Sequence, residues 1–126
     1  MHLTRNVVNK TIEKVDKYLS REKKQGKKSK IYKLAKFICR NDKFTIDYSR
    51  SFKDKIYFLY NPIDNHWAET DGIYIWLNRY KDFTPDLLYY TILHEYLHWL
   101  IIRKDGNYLS ERSEHKLMEH LDQRLI

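Results

Sequence analysis

The stretch TPDLLYYTILHEYLHWLIIRK, residues 84–104, decides the reading of this chain. Thr84 is suited to cap a helix, Pro85 to open it where a missing N–H costs nothing, and Asp86 to face the positive end of its dipole. From Leu87 to Ile102 the side chains are apolar nearly all round, the mark of a helix in the middle of a domain. Within Ile92–Ile102 the ionisable groups, Tyr96 aside, are His94, Glu95 and His98. Ionisable groups on a buried helix each cost several kcal/mol, on the order of a lost charge's hydration, unless they share a partner. Arg103, Lys104 and the run Asp105-Gly106-Asn107 supply stop signals, so the helix is expected over about 85–103.

The five residues His94-Glu95-Tyr96-Leu97-His98 spell H-E-x-x-H. Two histidines four apart leave a helix on one face, one turn apart, and grip a single metal ion. Glu95 projects about 100° round the helix from His94, near enough to act as general base toward a water on that metal. The chemistry expected is zinc-dependent peptide hydrolysis, with Glu95 catalytic and one zinc per chain.

A catalytic zinc takes three protein ligands and leaves a fourth position open, so a third ligand is sought downstream. Glu111, Glu114, His115, Glu119 and His120 are the candidates. The segment 109–125 reads as a helix with Ser110 as cap and Leu117, Met118, Leu121 and Leu125 as its apolar stripe. Glu114 sits at the centre of that stripe, where a carboxylate is costly without a partner. It is the first choice, Glu111 the second and His115 the third.

Upstream, Gly72-Ile73-Tyr74-Ile75-Trp76-Leu77-Asn78 reads as a strand ending in Asn. Residues 73–77, Ile73, Tyr74, Ile75, Trp76 and Leu77, alternate in a way that suits a strand bordering a cleft and binding a peptide by its backbone. Phe44–Tyr48 and Ile56–Tyr60 are two more expected strands, bounded by Asn41-Asp42 and Asn61-Pro62. The fold class expected is α+β: a three-stranded sheet, N-terminal backing helices, an active-site helix and a C-terminal glutamate helix.

Strand, H-E-x-x-H helix and a following helix with an inward glutamate resemble the gluzincin metallopeptidases. In size the chain resembles a minigluzincin, a very small archaeal soluble zinc peptidase reduced to its catalytic core; the likeness covers about residues 44–126. The resemblance implies zinc held by His94, His98 and Glu114 with Glu95 as base. It also implies latency, through self-association or a terminal segment lying in the cleft. Four positions after Glu114, where gluzincins often carry a small or acidic supporting residue, stands Met118; the same offset from Glu111 gives His115, so Glu111 stays open. SprT-like zincins share the order of strand, Asn and pentad but usually use His as third ligand, which would suit His115 and a nucleic-acid-associated protease. A non-catalytic or latent zinc-binding regulatory module is a further alternative. A donor for the oxyanion is left open among Tyr108, Arg112 and His115.

The N-terminal third is helical in pattern. Val7, Val8, Thr11, Ile12, Val15, Tyr18 and Leu19 recur at helical spacing over about 4–22, and Ile31, Leu34, Ala35, Phe37 and Ile38 mark a second helix after a basic break at 23–30. At 126 residues the chain is expected to be one domain, with 1–40 helical and 44–126 catalytic. Lys and Arg exceed Asp and Glu by 24 to 17, giving +7 and a pI near 9.4. The excess runs along the whole chain and reads first as solubility, second as affinity for nucleic acid. The basic run 23–30 reads as a solvated turn. A single cysteine, Cys39, excludes an internal disulfide, and it reads as a buried structural thiol. No signal-peptide pattern or long apolar run is seen, so a cytoplasmic place is expected, with peptide or unfolded protein as substrate and no membrane.

Overall fold

The structure is a computed structural model, and it describes residues 3–40, 43–59, 66–71 and 73–103. Among these residues the fold is α+β, with three α-helices and two small sheets.

Helix α1 spans Arg5–Gln25. Thr4 caps it by accepting from the Val7 N–H at 3.2 Å. Val8, Ile12, Val15 and Leu19 recur on one side and are buried, as their spacing requires. The helix outruns the expected break at Lys23 because Lys, Glu and Gln are good helix formers. It stops at Gly26, whose φ of 55° and ψ of −124° suit a residue without Cβ. A 3-10 turn, Gly26–Lys28, leads into α2, Lys30–Cys39, capped by Ser29. Glu22 ties the two helices together: its buried carboxylate accepts from Tyr18 Oη at 2.6 Å and from the Lys30 N–H at 3.1 Å. In α2, Ile31, Ala35 and Cys39 are buried, the cysteine as expected, while Phe37 is 69% exposed.

The expected single three-stranded sheet is replaced by two sheets. Strand β1, Phe44–Ile46, pairs antiparallel with β5, Ile101–Arg103. Strands β2, Ile56–Phe58, β4, Ile75–Leu77, and β3, Ala68–Thr70, form the second sheet in the order β2-β4-β3. β2 and β4 run parallel, with Ile56 opposite Ile75 and Phe58 opposite Leu77; β3 and β4 run antiparallel. β4 thus takes the centre, and the alternation read in it is that of an internal strand with Ile75 and Leu77 wholly buried. The β3–β4 turn is closed by Asp71, whose carboxylate accepts from the N–H groups of Ile73 and Tyr74 at 2.9 Å each. Those two bonds hold its carboxyl below the usual range.

Helix α3 spans Pro85–Leu100 and begins as its sequence dictates, with Thr84 accepting from the Leu87 N–H and Pro85 in the first turn. Its end differs from the expected 103. After Leu100 the chain passes straight into β5, because Ile101 and Ile102 are β-branched and their backbone finds partners on β1. The Leu100 carbonyl, left without a helical donor, accepts from the Asp47 N–H at 2.8 Å. α1 packs along α3, and the core between them joins Val8, Ile12 and Val15 to Leu88, Ile92, Leu93, Tyr96 and Leu97. No helix among the described residues is long and apolar enough to cross a membrane.

Candidate metal centre

One stripe of α3 is not covered by core. Leu87, Tyr90, Thr91, His94 and His98 follow one another at helical spacing and, with Glu95 and Trp99, form one wall of a pocket of about 810 Å³. Within that wall, ligand atoms of His94, Glu95 and His98 lie within 4.8 Å of one another. The imidazole rings of His94 and His98 stand edge to face, 5.2 Å apart at an interplanar angle of 80°. Glu95 is buried at 7% exposure, and both histidines are half-buried. The spacing in sequence has therefore become a cluster in space, at the edge of a cavity wide enough for a peptide segment.

The two imidazoles are donors of the kind zinc takes. The helix brings them together, with the Glu95 carboxylate beside them, without any long-range loop closure. Among the described residues this is the group with metal-ligand composition and spacing. The third-ligand candidates Glu111, Glu114, His115, Glu119 and His120, the expected helix over 109–125, and Tyr108 and Arg112 all lie outside the described residues.

The opposite wall of the pocket is made by His66, Trp67, Ala68, Glu69 and Thr70. The strand expected at the cleft rim, 73–77, contributes no residue to the lining of this pocket. Ile75, Trp76 and Leu77 have neighbours on both sides, with β2 on one and β3 on the other, so their backbone is spent; Ile73 and Tyr74 precede the strand. β3 is the outer strand beside the pocket among the described residues. A peptide laid along it would meet main-chain groups on one side and α3 on the other. Sequence reasoning did not find β3, since Ala68-Glu69-Thr70 is three residues long and has no alternation to read. His66 and Glu69 were missed with it; His66 Nδ1 lies 3.7 Å from Glu69 Oε1, both well exposed.

Three residues outside the pocket, Asn78, Phe83 and Tyr96, brace its walls. Asn78, at the end of β4 and 3% exposed, donates from Nδ2 to the His66 carbonyl at 3.0 Å, and its N–H donates to the Trp67 carbonyl at 2.9 Å. Its Oδ1 accepts from the Tyr80 N–H at 3.1 Å. Asn78 thus pins the chain that enters β3 at the pocket's second wall. Trp67 is braced by Phe83, ring centroids 5.1 Å apart and edge to face. On the far side of α3, Tyr96 anchors the pentad to α1. Its hydroxyl donates to Asp16 Oδ1 at 3.1 Å and accepts from the Phe52 N–H at 3.1 Å, and its ring packs on Phe52 at 4.8 Å. Burial pushes the Tyr96 phenol up, so it stays a donor at any physiological pH. Burial likewise pushes the Asp16 carboxyl above its usual value, against the pull of hydrogen bonds from Tyr96 and Ser51.

Comparison with family models, with curated proteins and with solved structures finds no match.

Proposed function

We propose that this chain is a zinc-dependent peptidase of the minigluzincin kind, with His94 and His98 as metal ligands and Glu95 as the base. The observation that carries the proposal is the meeting of three ligand-type atoms within 4.8 Å at the wall of a pocket whose other wall is an outer β-strand. Bound there, zinc would supply Lewis acidity toward a carbonyl and toward water.

The chain's own residues have distinct tasks in this reading. β3 receives the substrate in extended form by backbone pairing, which sets register without demanding a sequence. Glu95 accepts the proton of the attacking water and returns it to the leaving amine, a role that its place beside the two histidines supports. Trp67 and Tyr90 give the pocket apolar walls for side chains flanking the scissile bond. Glu114 completes the ligand set, with Glu111 and His115 as the alternatives.

The test is metal content measured with proteolysis. Purified wild type should carry one zinc per chain and cleave unfolded casein in a chelator-sensitive way. His98→Ala should lose both, whereas Glu95→Gln should keep zinc and lose cleavage. Zinc present in wild type with no cleavage at any dilution would point to a binding module, and absence of zinc would end the proposal.

A further inference from the structure

The outer face of α1 carries a row of cations. Lys10, Lys14, Lys17, Arg21, Lys24 and Lys28 follow at alternating steps of four and three residues, and all six are exposed. Advancing about 100° per residue, the five within α1 fall in a sector roughly 80° wide, nearly opposite the apolar seam of Val8, Ile12, Val15 and Leu19. No acidic residue falls inside that sector. Glu13 lies beside it, Asp16 is turned toward Tyr96 and Ser51, and Glu22 is buried against Tyr18 and Lys30. From Lys10 to Lys24 the row extends about 21 Å at 1.5 Å per residue, a cation every 5 Å or so.

A solvated helix face ordinarily mixes signs, because like charges three and four apart repel by a few tenths of a kcal/mol, about 0.2–0.5, per pair. Here every neighbouring pair along the row is of like sign, a repulsion that a polyanion laid along the row would relieve. The surface is also concave: Lys14, Lys17, Arg21 and Lys24, with Asp16, Ser20 and Tyr89 of α3, line a hollow of about 630 Å³, four cations to one carboxylate. An aromatic ring beside a line of cations is the pairing that single-stranded nucleic acid uses, phosphates on the cations and a base on the ring. A lipid surface fits less well, since a helix lying on a membrane needs an exposed apolar face, and α1 turns its apolar face into the core.

We propose that this row on α1 binds single-stranded nucleic acid through its phosphates, independently of base sequence. The surface is separate from the metal pocket: α3 turns Tyr89 toward the row and Tyr90, His94 and His98 toward the pocket. Binding here neither uses nor requires the metal.

The experiment is fluorescence anisotropy of a labelled 20-nucleotide mixed-sequence DNA strand, titrated with the full chain from 50 to 200 mM salt. Wild type should bind with a slope of log K on log salt of about −3.5 to −4.2, as expected for five or six phosphates on a single strand. The variant K14Q/K17Q/R21Q should lower the slope's magnitude by about 2 and weaken binding at 50 mM roughly a hundredfold. The control K23Q/K33Q/K36Q removes the same charge from exposed sites off the row and should leave affinity within threefold of wild type. Equal loss in both variants would show attraction to net charge alone and overturn the proposal. So would absence of binding at 50 mM salt, or binding of phosphatidylserine vesicles in place of the strand. Zinc content, unchanged in both variants, separates this outcome from any failure of the peptidase reading.

Discussion

Tyr96→Phe removes one oxygen from the middle of the pentad, and its cost is set on the far side of the helix. The hydroxyl serves two partners, the Phe52 N–H and Asp16 Oδ1, each at 3.1 Å, and the side chain is wholly buried. Phenylalanine fills the same space, so no cavity enters. The Phe52 N–H is left buried without an acceptor, about 1–3 kcal/mol. Asp16 loses a donor but keeps Ser51 and part of its solvent, so its share falls below the charge-assisted range of about 1.5–3 kcal/mol, at about 1 kcal/mol. The loss should total about 2–4 kcal/mol, roughly 7–14 °C in Tm for a chain of this length.

Acidity then separates the two contributions. Asp16 titrates higher in the folded protein than in the unfolded chain, so its ionisation subtracts stability. That stability is present below the unfolded carboxylate value, about 3.9, and is lost as pH rises through the folded one. The Tyr96 bond partly offsets this when Asp16 is charged. In a double-mutant cycle of Tyr96→Phe with Asp16→Asn, followed by urea unfolding, the coupling should be about 1 kcal/mol at pH 7 and shrink as pH falls. Effects on the metal ligands cancel in the cycle. Coupling under about 0.3 kcal/mol at pH 7, or coupling that grows on acidification, would refute the assignment of Tyr96 as the clamp between α3 and α1.

Glu95→Gln should leave zinc binding intact and reduce kcat for casein or a quenched peptide by about 10²–10⁴-fold, read as turnover per bound zinc. Asn78→Ala strands the Tyr80 N–H and frees the His66 carbonyl; unfolding stability should fall by about 1–3 kcal/mol, with KM for peptide rising more than kcat falls as the β3 rim loosens. Phe83→Ala, beneath Trp67 and 1% exposed, should cost about 3–5 kcal/mol in chemical denaturation. Glu22→Ala leaves the Tyr18 hydroxyl and the Lys30 N–H without their acceptor, and should lower Tm by several degrees, where Glu22→Gln, which still accepts, loses less.

The helices were legible because their signals are local. Thr84-Pro85 marks the start of α3 to the residue, and the spacing of Val8, Ile12, Val15 and Leu19 names the buried face of α1. His94, Glu95 and His98 cluster because a helix guarantees it. The sheets were less legible because pairing is a relation between distant segments. Phe44–Tyr48 reads as a strand, of which Phe44–Ile46 is one, yet nothing in it says that its partner is Ile101–Arg103 rather than β2. Those same isoleucines continue the apolar pattern of α3, so the end of the helix was placed three residues late. β3 is three residues whose strand character comes from Trp76 and its neighbours on β4, and with it the pocket's second wall escaped the reading.

The abrupt join between α3 and β5 bears on how the candidate centre moves. A terminal helical turn normally frays, opening at almost no cost, and His98 stands in the last turn of α3. Here the residue after the helix is already locked in a ladder, with Ile101 opposite Ile46 and the Leu100 carbonyl held by Asp47. Unwinding the turn that carries His98 would strain the pairing of Ile101–Arg103 with Phe44–Ile46, a strand distant in sequence. A ligand pair populated in its binding geometry only part of the time has its affinity reduced by that fraction. The β1–β5 ribbon opposes that fraying, so a strand distant in sequence acts as a latch on the candidate ligand pair.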